Sequence, residues 1–366
     1  MATVAILGSG NAGCTFAAYL GKRGHEVHLY DSPRFEGNLT AIKERGGMTL
    51  TGEDTGYGEI AMVTTDIEKA IKNVEVIMVV VPGFGHASIA KDIAPYLETG
   101  QTVVLNPGAV FGALEFLNTL RENGNHKDVT ICETASNVFA CRRTGPTSVN
   151  LTGIKDEMEI ASIPCDRIES VVEKLDVFFP GIFQPQPNII YTSLSYNNMI
   201  IHPAGALLNM GRIEWTKGDY DFYWEGCTPG VCHNIEQVDA ERLKVAESFG
   251  VKLVDFLEQN HEYYGHRERK SIYEFFSVSE VHGGIGPSAP SSLKHRYVTE
   301  DIPYALVAVS SLAKSIGVQT PVIDALIAIA SAANQEDYIE TGRSMKNLKL
   351  EGMTKEQIFE RLTTGK

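Results

Sequence analysis

No stretch of this 366-residue chain approaches the roughly 18 uncharged apolar residues that a membrane-spanning helix requires. No long basic run is present either. Acidic residues number 46 against 32 basic ones, for a net charge of −14, so the chain lacks the electrostatic footprint of a nucleic-acid or anionic-membrane binder. The partner it points to is a small molecule. The six cysteines, at 14, 132, 141, 165, 227 and 232, include no CxxC pair and sit mostly in apolar surroundings, which reads as reduced thiols. No cluster of His, Cys and carboxylates has metal-ligand spacing, so no metal is expected. Internal repeats and low-complexity tracts are also missing. The opening "MATVAILGSG" has an apolar run too short, and too soon followed by glycine, for a signal peptide, so a cytoplasmic location is expected.

What is there is the composition of a globular enzyme, 43% hydrophobic and 21% charged. The length exceeds what one hydrophobic core usually serves, and two domains are expected. Prolines 185 and 187 mark the best boundary, dividing the chain into 1–186 and 187–366.

The first part opens with a short apolar strand, Val4 to Leu7, then Gly8, Gly10 and Gly13, a helix, and a second strand ending at Asp31. Gly8 makes the tight turn, Gly10 lets the backbone approach a pyrophosphate, and Gly13 lets the helix pack closely on the strand. The helix N-terminus then offers free N–H groups to the phosphates. The whole turn, including Ser9, Asn11 and Ala12, is expected to hold a dinucleotide. Asp31, 23 positions after Gly8, is placed to accept from ribose hydroxyls and to repel a 2′-phosphate, which favours NAD; Arg34 nearby leaves NADP open. Apolar strands then alternate with helices near 86–97 and 110–122, which implies a doubly wound parallel sheet of Rossmann type covered on both faces. Pro82 and Asn106 fall in turns at carboxyl ends of such strands, where ligands bind. Short β-like segments follow at 147–153 and 157–163, with a helix near 166–175.

From about 187 the periodicity is helical, with helices at 188–210, 229–249, 301–316 and 319–332. In the first of these, Asn198 and His202 stand four apart and so share one face, and Pro203 predicts a kink or break at that turn. Taken alone, the histidine reads as a core residue beside a structural kink. The stretch 276–298 is rich in Gly, Ser and Pro and reads as a long loop, functional or merely a linker. Asp301 follows it, either as an N-cap for the next helix or as a carboxylate that orients a histidine.

The set "LGSGNAG", "VVVPGFGH", "NPGAVFGALEF", "IIHPAGALLNMGRIE", "FYWEGCTPGV", "DAERLKVAESFGV" and "RYVTEDIPYALV" resembles the opine dehydrogenases, the octopine/nopaline dehydrogenase family, over nearly the whole chain. The resemblance implies a dinucleotide-binding domain followed by an all-helical domain like the C-terminal one of 6-phosphogluconate dehydrogenase. It implies NAD(P)H-dependent reductive condensation of an amino acid's amine with a 2-oxo acid. The family's catalytic histidine falls on His202, its partner aspartate on Asp301 and its helix-face asparagine on Asn198, facing a substrate beside the nicotinamide. Two substrate carboxylates call for cations. Arg142, Arg143, Arg212, Lys294 and Arg296 are available, with Arg296 favoured for its place just before Asp301 and Arg143 carried as a second candidate. Two other readings stand beside this one. Ketopantoate reductases and related enzymes share the two-domain plan, but they generally use a lysine near the start of the second domain, and no lysine lies between Lys174 and Lys217. A non-catalytic NAD-sensing module would keep the glycines and need neither His202 nor Asp301. The oligomeric state is not fixed by the sequence; a homodimer is entertained.

Overall fold

The computed structural model describes residues 2–284 and 286–366. The chain forms two compact units, Met1–Ser193 with Glu360–Lys366, and Leu194–Phe359.

The first unit contains the strands β1 (Thr3–Leu7), β2 (Glu26–Tyr30), β3 (Gly47–Gly52), β4 (Gly56–Glu59), β5 (Met62–Thr64), β6 (Val76–Val79), β7 (Thr102–Leu105), β8 (Thr130–Thr134), β9 (Phe139–Gly145), β10 (Ser148–Ile154), β11 (Met158–Ile163) and β12 (Phe183–Pro185). Eight form one sheet in the order β12-β11-β8-β7-β6-β1-β2-β5. It is parallel from β5 across to β8, while β11 runs antiparallel to β8. Continuous apolar runs explain the core: Val4–Leu7, Val76–Val79 and Val103–Leu105 are all buried, as strands covered on both faces must be. The chain passes from β1 to β2 on one side and returns to β6 on the other. The carboxyl ends of β1 and β6 therefore flank a topological switch point.

A second sheet, β4-β3-β10-β9, mixes parallel and antiparallel pairs and was not legible as such. β3 and β4 are short and rich in Gly and Thr, with no apolar run to announce them. This sheet covers the outer side of helix α1 (Asn11–Lys22), where Phe16 and Tyr19 pack against Phe139 of β9, with ring centroids 4.6 and 5.0 Å apart. That covering explains why Gly13 through Leu20 are buried without interruption. Four more helices of this unit are α2 (Gly37–Arg45), α3 (Ile67–Ile71), α4 (His86–Ile93) and α5 (Gly112–Glu122), followed by α6 (Ile168–Asp176).

The boundary falls at 193/194 rather than 186/187, and the last seven residues return to the first unit. Helix α7 (Ile189–Leu194) is held there by buried Glu133 of β8, whose carboxylate accepts from Thr192 Oγ1 at 3.0 Å and Ser193 Oγ at 2.5 Å. The same carboxylate accepts from the Ala113 N–H at 2.9 Å. At the C-terminus, Arg361 donates to Asn118 Oδ1 at 2.6 Å.

The second unit is helical. The expected helix over 188–210 is three: α7, α8 (Asn198–Leu207) and α9 (Met210–Thr216). The break predicted at Pro203 is absent, since α8 runs on through it. A proline removes one backbone bond, and the unbroken burial of Met199 through Leu207 holds the helix regardless. Beyond lie α10 (Pro229–Ser248), α11 (Phe256–Tyr264), α12 (Ile272–Phe276), α13 (Arg296–Thr299), a π-helical turn (Ile302–Leu306), α14 (Val307–Ser315), α15 (Pro321–Asn334), α16 (Tyr338–Thr341) and α17 (Lys355–Thr364), whose end belongs to the first unit. The expected loop 276–298 is non-helical between α12 and α13, with Ile285 outside the described residues. Among the described residues no helix is long and apolar enough to cross a membrane.

Glu133→Ala strands two buried donors, the Ala113 N–H and the Ser193 hydroxyl, while Thr192 Oγ1 keeps the Ile189 carbonyl at 3.3 Å. A loss of about 2–4 kcal/mol in urea-unfolding stability is expected, at one to three per unsatisfied group less partial relaxation.

Candidate active site

In the first unit, Gly8 has φ +117°, a backbone that L side chains rarely adopt. A Cβ on Gly13 would stand 1.9 Å from the Gly8 carbonyl oxygen, so only glycine lets α1 start this close to β1. A Cβ on Gly10 meets nothing within 4 Å, which is the open space a pyrophosphate needs. Helix α1 begins there with no side-chain cap and no acidic residue in its first turn, leaving its N–H groups free for phosphate. These features fit a dinucleotide.

Asp31 is 8% exposed. Its Oδ2 accepts from the Ser9 N–H at 2.8 Å and Ser9 Oγ at 2.5 Å, and its Oδ1 from the Ser32 N–H at 2.8 Å. The carboxylate is thus fixed by the turn it serves. Arg34 is exposed and has no ion pair among the described residues; its guanidinium lies 5.6 Å from the Phe35 ring centre. The Asn11 side-chain oxygen accepts the Arg143 N–H at 2.9 Å, while Ala12 lies half-buried in the first turn of α1. Pro82 opens the turn Gly83–Gly85 after β6 and accepts the Gly85 N–H at 2.8 Å. Asn106, 1% exposed, is engaged internally: its amide donates to Thr134 Oγ1 at 2.7 Å and the Ser136 carbonyl at 3.1 Å. Arg143, carried as a substrate cation, instead donates to the carbonyls of Ser9, Asn38, Gly145 and Pro146. Its strand lies beside the glycine turn, so its guanidinium braces that turn.

In the second unit, α8 and the segment leading into the π-helical turn meet at one cluster. His202 Nδ1 lies 2.7 Å from Asp301 Oδ2, with His202 8% and Asp301 0% exposed. Asp301 caps nothing with its side chain, although it precedes Ile302-Pro303. Its other oxygen accepts from the Tyr196 hydroxyl at 3.0 Å, and Asn198 Nδ2 donates to that hydroxyl at 3.1 Å. Burial, and then the charges of Asp301 and Glu300, push the Tyr196 phenol well above the ordinary tyrosine range, so it remains a donor. Arg296 pairs with Glu300 at 2.9 Å and keeps about half its side chain in solvent. With Nδ1 engaged by Asp301, Nε2 is the ring nitrogen this carboxylate leaves uncommitted.

Aromatic rings enclose the imidazole. Tyr297 stacks on it, with centroids 3.6 Å apart and planes 14° from parallel, and Phe222 stands edge-on at 6.5 Å. Gly205 explains the glycine of "HPAG": a Cβ there would lie 2.6 Å from the Phe222 ring. Tyr196 and Tyr297 were not singled out by the sequence reading. The signal was present in their positions, two before Asn198 and four before Asp301, because a buried tyrosine needs a partner for its hydroxyl.

A turn that fits a dinucleotide in one unit and a buried histidine held by a carboxylate in the other are features of an NAD(P)-dependent dehydrogenase. Comparison with known proteins narrows the class. Residues 185–334 match the family described as NAD/NADP octopine/nopaline dehydrogenase, alpha-helical domain, and residues 4–164 match ketopantoate reductase PanE/ApbA. An opine dehydrogenase of Arthrobacter sp. (strain 1C) is 37% identical over 353 residues, 96% of each chain. Protein ocs of Agrobacterium tumefaciens (strain Ach5) is 29% identical over 99% of both chains. An octopine dehydrogenase solved with NADH and L-arginine superposes with a TM-score of 0.80 at 20% identity, covering 100% of this chain and 98% of that one. The chain belongs to the opine dehydrogenase family, whose reaction is the NAD(P)H-dependent reductive condensation of an amino acid with a 2-oxo acid. The ketopantoate reductase match stops within the dinucleotide-binding part and does not reach His202.

His202→Ala is expected to lower turnover by about two to four orders of magnitude, the usual scale of general acid–base work, with NADH affinity measured by fluorescence nearly unchanged. Asp301→Asn should lose much of the same activity, since it removes the charge that supports a protonated imidazole.

Proposed function

We propose that His202 is the acid–base group of this condensation, that Asp301 fixes its tautomer, and that Asn198 and Arg296 hold oxygens of the substrates. The observation that carries the reading is the 2.7 Å contact of His202 Nδ1 with a fully buried carboxylate, which leaves one ring nitrogen for chemistry. Four proton-linked events must be served. The amino acid's ammonium loses a proton before its nitrogen attacks the carbonyl carbon. The carbonyl oxygen gains a proton as the C–N bond forms, the nitrogen gives up a second proton to leave a neutral carbinolamine, and the hydroxyl then leaves as water with a further proton, giving a cationic imine. One imidazole that alternates between base and acid can serve all four. The bound dinucleotide supplies the hydride that reduces the imine carbon. Arg296 keeps about half its side chain in solvent beside its contacts with Glu300 and the Tyr196 hydroxyl, and it sits five residues from Asp301, which suits it to a substrate carboxylate.

NADH is the preferred reductant in this reading. The Asp31 charge disfavours a 2′-phosphate, and the exposed Arg34 is the residue that would let NADPH in. Catalytic efficiency should favour NADH by about tenfold or more, the size of a charge contact of about 1–2 kcal/mol near a surface. Side-by-side kinetics with both reductants measure it, and a preference for NADPH contradicts the reading. A cytoplasmic location suits the six free cysteines. A homodimer is carried with the same reading, for which exposed Leu208 and Trp215 offer apolar surface, and sedimentation velocity measures it.

NADH oxidation should need an amino acid and a 2-oxo acid together, either alone giving little, because contacts built for the joined pair are lost with one half missing. The product mass should equal the two substrates minus water plus two hydrogens. Equal reduction of a 2-oxo acid with and without amine contradicts the proposal and favours a ketopantoate-type reductase.

A further inference from the structure

We propose that Tyr297 is a positioning residue for the reaction, its ring lying flat on the His202 imidazole to fix the plane in which Nε2 exchanges protons. This rests on His202 being the acid–base group. The contact with Asp301 fixes one atom of the imidazole, but a single hydrogen bond leaves the ring free to swing about that bond, and the terminal torsion of a histidine is broad. A ring stacked at 3.6 Å and 14° removes that freedom. The overlap is closer than the offset geometries aromatic pairs usually adopt.

Tyr297 is itself held on several sides. Its hydroxyl shares a hydrogen bond with that of Tyr223, and its backbone N–H donates to His295 Nδ1 at 3.3 Å. Phe222 packs against it at 5.1 Å and His295 edge-on at 4.5 Å. Burial, and then the neighbouring His202 and Arg296, hold His295 below the usual histidine range, which keeps its Nδ1 an acceptor. Asp301 and Tyr297 lie four residues apart around α13. One short segment therefore holds the imidazole at its edge and on its face. The charged and titratable groups around the pair are Asp301, Tyr196, Tyr223, His295, and Arg296 with Glu300.

The test compares Tyr297→Phe with Tyr297→Leu in the full-length protein. The phenylalanine variant keeps the stacked face and should retain kcat within about threefold. The leucine variant is apolar but lacks the face. It should lose about 10- to 100-fold in kcat, the scale of a misplaced catalytic group, with NADH affinity preserved. Wild-type kcat in the leucine variant, or equal losses in both variants, overturn the proposal. Should the leucine variant not fold, proton NMR of the wild-type protein decides. The His202 ring proton, assigned with His202→Asn, should lie upfield of the signals of the other nine histidines, and its absence from that region overturns the stacking. Full activity in His202→Asn would instead overturn the acid–base reading itself.

Discussion

The constraint on which the second unit depends is the burial of one carboxylate. Asp301 has no exposure to solvent, and an ion in such a place costs several kcal/mol unless partners meet it. Two side chains do so from the same stretch of chain, His202 at one oxygen and Tyr196 at the other, about a hundred residues earlier in sequence. The register of α8 and the path of the segment into the π-helical turn are therefore held by the same three side chains. The backbone follows suit. The Asp301 carbonyl accepts the Leu306 N–H at 3.0 Å, five residues on, which opens the wide turn often found at functional sites.

The dinucleotide turn in the first unit shows the same logic with opposite materials. There the glycines remove side chains so that backbone can approach closely, and polar side chains are engaged from behind. Ser9 and Ser32 hold Asp31, Asn11 receives the backbone of Arg143, and Arg143 in turn gathers four carbonyls. What stays uncommitted is the row of N–H groups at the start of α1 and the exposed Arg34. In both units the polar groups that face a ligand are left over after the others have been paired within the protein.

Much of this was legible because periodicity and local spacing carry it. The strand–glycine–helix–strand frame around Gly8, Gly10 and Gly13 is local, and so is the helix face that joins Asn198 to His202. The pairing of His202 with Asp301 is not local: spacing left Asp301 equally an N-cap, and the resemblance pointed to the pair before the geometry placed it. The carbonyl partners of Arg143 on β9 are largely non-local, so spacing alone left it looking like a free cation. The second sheet escaped notice because β3 and β4 depend on neighbours rather than on an apolar run. Proline 203 misled in the other direction, since tertiary burial outweighed a local rule. The stacking of Tyr297 on a ring 95 positions away is equally non-local, and only its place four before Asp301 hinted at it.

The central claim is that Asp301 holds the imidazole of His202 with its proton on Nδ1, so that Nε2 faces the chemistry. Nitrogen-15 NMR of histidine-labelled protein, with the His202 signals assigned by substitution, reads the tautomer of the neutral ring directly. The account predicts a protonated Nδ1 and a bare Nε2. A ring protonated at Nε2, or an even mixture of the two forms, would contradict it.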